Sequence, residues 1–108
     1  MPIRTKTKKG VMTMHIEGDM TVRTAAALKK ELMKHLAKPC EREIDLSEVS
    51  EMDTAGIQLL MLAKREASRQ DMPLRLVEHS RAVLGVMDTY NLAAYFGDPI
   101  LISGGAKE

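Results

Sequence analysis

Apolar and polar positions along the chain alternate first with period two and then with the period of a helix. Residues 3–8 set Ile3, Thr5 and Thr7 against Arg4, Lys6 and Lys8. Residues 11–17 set Met12, Met14 and Ile16 against Val11, Thr13, His15 and Glu17. This predicts two strands joined by a tight turn at Lys9-Gly10. The lysines of the first strand suit an exposed sheet edge, where charge discourages pairing with another chain. Gly18-Asp19-Met20-Thr21 breaks the alternation and reads as a loop. From Val22 the spacing changes. Ala25, Leu28, Leu32 and Leu36 share one helical face, and Pro39 closes the helix.

Residues 42–46 read as a short strand ending a stretch that contains Asp45, and Ser47–Met52 as a polar link. Residues 54–69 predict a second helix, apolar nearly all round at first (Ile57, Leu59, Leu60, Met61, Leu62, Ala63) and charged later (Lys64, Arg65, Glu66, Arg69). Either it is a central core helix or one of its faces waits for a partner. Pro73 opens a strand from Leu74 to Val77. Ser80 is placed to cap a third helix carrying Val83, Val86, Met87 and Tyr90. Gly85 in that helix suggests a close approach to another element. Asn91 stops the helix, Ala93–Gly97 forms a turn, Pro99–Ile102 a final strand and Ser103–Glu108 a loose tail. The order β-β-α-β-α-β-α-β predicts an α/β fold with a small mixed, largely parallel sheet and right-handed crossovers. The inward positions include Ile44, Leu46, Ile57, Leu60, Leu76 and Val83.

The 108 residues make one domain, 1–108, that can bury roughly two-thirds of its unfolded surface. With 3% aromatic residues and no Trp, the core must be aliphatic and rich in the nine Met. The net charge of +1 is uneven. Arg4, Lys6, Lys8 and Lys9 stand without an acid in the first ten residues, and the rest carries 12 basic and 15 acidic residues. That balance argues against a nucleic-acid partner. The single Cys40 excludes an internal disulfide and fits a reducing compartment. The first ten residues lack the apolar segment of a signal peptide, and the longest apolar stretch is too short to span a bilayer. The expectation is a cytoplasmic, soluble protein with no membrane insertion.

His15, His35 and His79 lie in different elements without ligand spacing, and no C-x-x-C, H-E-x-x-H or G-x-S-x-G is present. No cofactor, metal or catalytic residue is expected. The segment with mechanical content is Asp53-Thr54-Ala55-Gly56. Asp53 is a natural N-cap, and Thr54 then falls in the first helical turn. A phosphate on Thr54 would be tolerated by the positive end of the helix dipole. It would also place nearly two negative charges beside Glu48, Glu51 and Asp53, enough to disrupt an interface there. Helix capping alone also accounts for the spacing. The loop Gly18–Thr21, the link Ser47–Asp53 and the start of the second helix should share one rim of the sheet.

Ile44-Asp45-Leu46-Ser47, Met52-Asp53-Thr54-Ala55-Gly56-Ile57 and Leu59-Leu60 together resemble the signature of STAS domains, which include bacterial anti-sigma-factor antagonists. Gly18-Asp19-Met20-Thr21 resembles the loop before that family's first helix. The resemblance implies a non-enzymatic partner-switching module. Thr54 would be phosphorylated by a serine/threonine kinase-like regulator of the anti-sigma type. The unphosphorylated form would bind that partner through Asp19, Thr21, Glu51, Asp53, Thr54, Ala55 and Gly56. Two positions depart from the pattern: Thr54 where Ser is frequent, and Thr21 where Asp is frequent.

Other STAS domains are subunits of lipid-transport ABC systems, where a Thr in a similar segment contacts the ATPase. Others, which resemble this chain at Lys64-Arg65-Glu66-Ala67 and Gly97-Asp98-Pro99, are associated with chemosensory signalling. A constitutive adaptor is therefore the alternative. A receiver domain, phosphorylated on Asp, is a weaker one, suggested by Asp45 at the end of a central strand and by Met52-Asp53 followed by Gly56. It needs an acidic pair after the first strand and a Lys after the last, whereas Asp19 stands alone and the next Lys after Ile102 is Lys107.

Overall fold

The computed structural model describes residues 3–89. Its elements are β1 (Ile3–Lys8), β2 (Val11–Met20), α1 (Ala25–Leu36), β3 (Glu41–Met52), α2 (Thr54–Arg69), β4 (Leu74–Val77) and α3 (Arg81–Thr89). The sheet order is β1-β2-β3-β4. β1 runs antiparallel to β2, which is parallel to β3, and β3 is parallel to β4. The β1–β2 turn holds Lys9 and Gly10 at φ 52 and 81, the two positive values that a two-residue hairpin of matching twist needs. The edge strand β1 keeps Lys6 and Lys8 exposed.

Alternation along the strands sends one set of side chains into the core. Met14, Ile16, Ile44, Leu46, Leu74 and Leu76 are buried there. They form one cluster with Leu28, Leu32 and Leu36 of α1, Ile57, Leu60 and Ala63 of α2, and Val83 and Met87 of α3. The opposite set stays partly exposed and pairs along the sheet surface. Thr13 donates to Glu43 at 3.2 Å, His15 lies 3.3 Å from Asp45, and Arg75 bonds Glu41 and Glu43 at 2.8 and 2.9 Å. The helices thus cover one face of the sheet and leave a polar face open.

The strands are longer than their sequence pattern. β2 continues through Gly18-Asp19-Met20, which the alternation assigned to a loop. β3 continues through Ser47–Met52, which read as a link. Two register shifts separate the pairs His15↔Asp45, Glu17↔Glu48, Gly18↔Val49 and Asp19↔Glu51. Each inserts an extra residue in β3, so burial falls at Leu46, Val49 and Met52 with period three instead of two. The Asp45 carboxylate accepts from the Ser47 N–H at 2.9 Å within the first shift. Gly18, at φ 86, lies beside the second. Asp45 consequently stands in mid-strand on the open face and does not end a strand, which removes a footing of the receiver alternative.

Other boundaries follow local chemistry. α1 starts at Ala25, later than Val22, because residues 21–24 form a turn. The Ser80 hydroxyl accepts from Val83 N–H at 3.3 Å, as its capping position predicts. Gly85 meets no close approach: a Cβ there would find nothing within 4 Å, so that expectation is corrected. The calls on Tyr90, Asn91, Ala93–Gly97, Pro99–Ile102 and Ser103–Glu108 lie outside the described residues.

At the end where β3 begins, Arg42 is fully buried and donates to the carbonyls of Leu36 at 3.1 Å and Lys38 at 2.8 Å, and to the side chain of Gln70. Gln70 in turn donates to Leu36 O at 2.7 Å. One guanidinium thereby satisfies carbonyls at the end of α1 and links them to the end of α2.

Gly56 faces the other end. A Cβ on it would lie 2.5 Å from Met20 O and 2.9 Å from Met52 Cγ. Gly56→Ala should therefore destabilise by roughly 1–3 kcal/mol, since a backbone carbonyl cannot yield cheaply. Gly85→Ala should stabilise by roughly 0.5–1 kcal/mol through helix propensity alone. Leu60→Ala, in the fully buried centre of α2, should cost about 2–5 kcal/mol. Denaturant midpoints of the three variants check all three signs.

Candidate functional site

The rim where β2 and β3 end is assembled around one carboxylate. Asp19 pairs with Glu51 and Met20 with Met52, and the Asp53 N–H donates to Met20 O at 3.2 Å. Asp53 leaves the strand in extended conformation and caps α2, its Oδ1 accepting from Ala55 N–H at 2.8 Å. Its Oδ2 accepts from Val22 N–H at 3.0 Å. The same side chain thus fixes the first turn of α2 and the turn that precedes α1. The Val22 N–H, followed by those of Ala55 and Gly56, holds the Asp53 carboxyl below its ordinary pKa of 3.8, against a smaller opposing effect of burial.

The turn at residues 21–24 closes on Thr24. Its hydroxyl donates to Asp19 O at 2.8 Å and accepts from Thr21 N–H at 3.0 Å, and its own N–H reaches Thr21 O at 3.0 Å. The hydroxyl is therefore turned back on the strand and makes no cap bond to α1. Asp19 accepts from Ser50 Oγ at 3.1 Å and lies 3.6 Å from Arg23.

Asp19, Thr21, Glu51, Asp53, Thr54 and Ala55 are thereby brought to one end of the sheet. Glu51 and Thr54 are exposed there; Asp19, Thr21, Asp53 and Ala55 are half-buried. Gly56 is buried beneath them and presents packing, not surface. Thr54 is the first residue of α2, so its hydroxyl sits at the positive end of the helix dipole. Two residues escaped the sequence reading. Thr24 organises the turn, and a hydroxyl residue just before Ala25-Ala26-Ala27 was its signal. Val22 is 75% exposed, a large apolar side chain left out of the core among the described residues, and no sequence signal marks it because the spacing placed it in a helix.

Among the described residues no group of three or more His, Cys, Asp or Glu side chains is set to hold a metal, and no helix is long and apolar enough to cross a membrane.

The arrangement of sheet and helices is shared with solved structures. An anti-sigma factor antagonist from Mycobacterium paratuberculosis superposes with a TM-score of 0.78 at 20% identity, over 91% of this chain and 82% of its own. The unphosphorylated anti-sigma factor antagonist SpoIIAA does so at 0.68 and 14% identity, over 90% and 87%. The phosphorylated form of the Bacillus cell fate determinant SpoIIAA gives 0.64 and 13%, over 90% of both chains. No curated protein matches the chain in sequence. The family described as "Mlab, STAS domain" matches residues 3–102, and the chain belongs to it.

The bonds to Asp53 set a pH dependence. A carboxyl whose folded pKa lies below its unfolded value stabilises above about pH 4 and loses that contribution as pH falls through the folded pKa. Asp53→Asn keeps an acceptor for Ala55 but turns an NH₂ toward Val22 N–H. It should lower the melting temperature at pH 7, and the difference from wild type should shrink as pH falls through the folded pKa of Asp53. In the wild type, the amide shifts of Val22 and Ala55 should titrate together, with a midpoint below 3.8.

Proposed function

We propose that this chain is a binding switch without catalytic chemistry of its own. It holds a protein regulator through the rim around Asp53 and releases it when a partner kinase phosphorylates Thr54. The observation that carries this reading is the position of Thr54. It is exposed at the first position of a helix whose cap carboxylate is already held by two backbone N–H groups. A phosphate there is compatible with the fold because it stays exposed at the positive end of the α2 dipole. It would disrupt an interface formed there, because it adds negative charge to a rim that already carries Asp19, Glu51 and Asp53. That structures of similar fold are described in phosphorylated and unphosphorylated forms supports the reading.

The matching family description favours a second reading. It names an Mlab-type STAS domain, whereas the solved structures are described as antagonists. Under this reading the rim is a permanent seat on an ATPase or a chemosensory component, and Thr54 is a contact residue that is never modified. Both readings place the protein in the cytoplasm.

Bait proteins carrying wild-type Thr54, Thr54→Ala or Thr54→Glu separate them. Proteins captured by the wild type are identified by mass spectrometry, purified and titrated against each bait. Thr54→Glu should fold normally and bind the partner at least about tenfold more weakly, a loss of ~1.4 kcal/mol. Thr54→Ala should bind nearly as the wild type and should abolish labelling by the partner and ATP. Equal binding of wild type and Thr54→Glu, with no label on Thr54, rejects the switch in favour of the permanent seat.

A further inference from the structure

We infer that the groove between α1 and α2 seats one amphipathic helix of the protein partner, flanked by acidic residues, an inference that rests on the reading of Thr54 as the switch. The groove has a volume of about 550 Å³ and a lining more apolar than polar. Ala26 of α1 and Ala55, Met61 and Leu62 of α2 supply its apolar surface, while Lys29 and Arg65 supply its charge. No acidic side chain lines it. Lys29 and Arg65 are both exposed, and neither makes an ion pair among the described residues.

The groove begins at Ala55, next to the proposed switch. Thr54, Gln58, Leu62 and Arg65 follow one another at spacings of four, four and three, so they form one stripe along α2. From Thr54 to Arg65 that stripe runs ~16 Å at 1.5 Å per residue, or three turns. Val22, tied by its N–H to Asp53 beside the head of the stripe, adds exposed apolar surface there. An open trough of three turns between two helices fits a third helix presenting apolar residues at i, i+3 or i+4, and i+7.

Charge selects the occupant. Acidic residues flanking the apolar face of the incoming helix would meet Lys29 on one side and Arg65 on the other. A second copy of this chain fits poorly. The exposed charges on α1 include Lys29, Lys30 and Lys34, so two such faces would oppose like charges. The seat also explains release. A phosphate on Thr54 adds nearly two negative charges at the head of a trough that holds an acidic helix, while the unmodified hydroxyl adds none.

A displayed library of ~15-residue amphipathic helices, with flanking positions drawn from Glu, Gln and Lys, tests the inference against the full chain. Glu-flanked sequences should be enriched. Their binding should weaken at least about tenfold on Lys29→Glu and on Arg65→Glu, surface changes whose folding is checked by thermal melts. Enrichment of Lys-flanked helices, or binding indifferent to both reversals, overturns it. So does the absence of any enrichment over a scrambled library, whether residues 90–108 or a second copy fills the trough. Sedimentation of the free chain distinguishes those two. Helices lost on Lys29→Glu and Arg65→Glu but bound equally by Thr54→Glu leave the seat intact and reject the switch. A natural partner sensitive to Thr54→Glu but not to the two reversals does the opposite.

Discussion

The fold at the candidate rim depends on a single close approach. The first turn of α2 comes so near the last carbonyl of β2 that residue 56 has no space for a side chain. Burying a helix start against a strand end costs backbone hydrogen bonds unless each amide finds an acceptor. Met20 O takes the N–H of Asp53, the Asp53 carboxylate takes those of Ala55 and Val22, and Thr24 ties Asp19 to Thr21. The contact lets three chain segments meet at one rim. With a larger residue at 56 the helix would stand off, and the carboxylate could no longer reach both amides.

Much of this was legible in the residue order, for reasons that differ from element to element. The bounds of α2 and β4 could be read because cap, periodicity and breakers agree there, at Asp53, Pro73 and the spacing of Ile57, Leu60 and Ala63. Ile44, Leu46, Leu76 and Val83 are buried as their phase requires. The far halves of β2 and β3 were not legible. In β3 two inserted residues change the burial period from two to three, and a period-two search ends where the first one falls; in β2 burial keeps period two as far as Met20, but Gly18-Asp19 carries the composition of a turn. Gly18, at positive φ inside a strand, was the trace they left.

The site divides in the same way. Asp53 and Thr54 are adjacent in sequence and belong to a recognisable helix start, so their pairing was visible. Val22 and the trough are products of tertiary approach. The exposure of Val22 depends on a turn whose hydroxyl bends back to β2 where an ordinary cap would bend forward to the helix. The trough depends on how far apart α1 and α2 lie, which no pattern within either helix records.

The buried guanidinium of Arg42 gives the domain a mechanical asymmetry. It clasps the ends of α1 and α2 at the opposite pole from the rim, one terminal nitrogen reaching the carbonyls of Leu36 and Lys38 and the side chain of Gln70. The two helices are therefore tied together at the pole opposite the candidate rim. Such a scaffold can rewrite its rim, loop by loop, without renegotiating its foundation. A chain that differs from this one at four positions in five keeps the same frame.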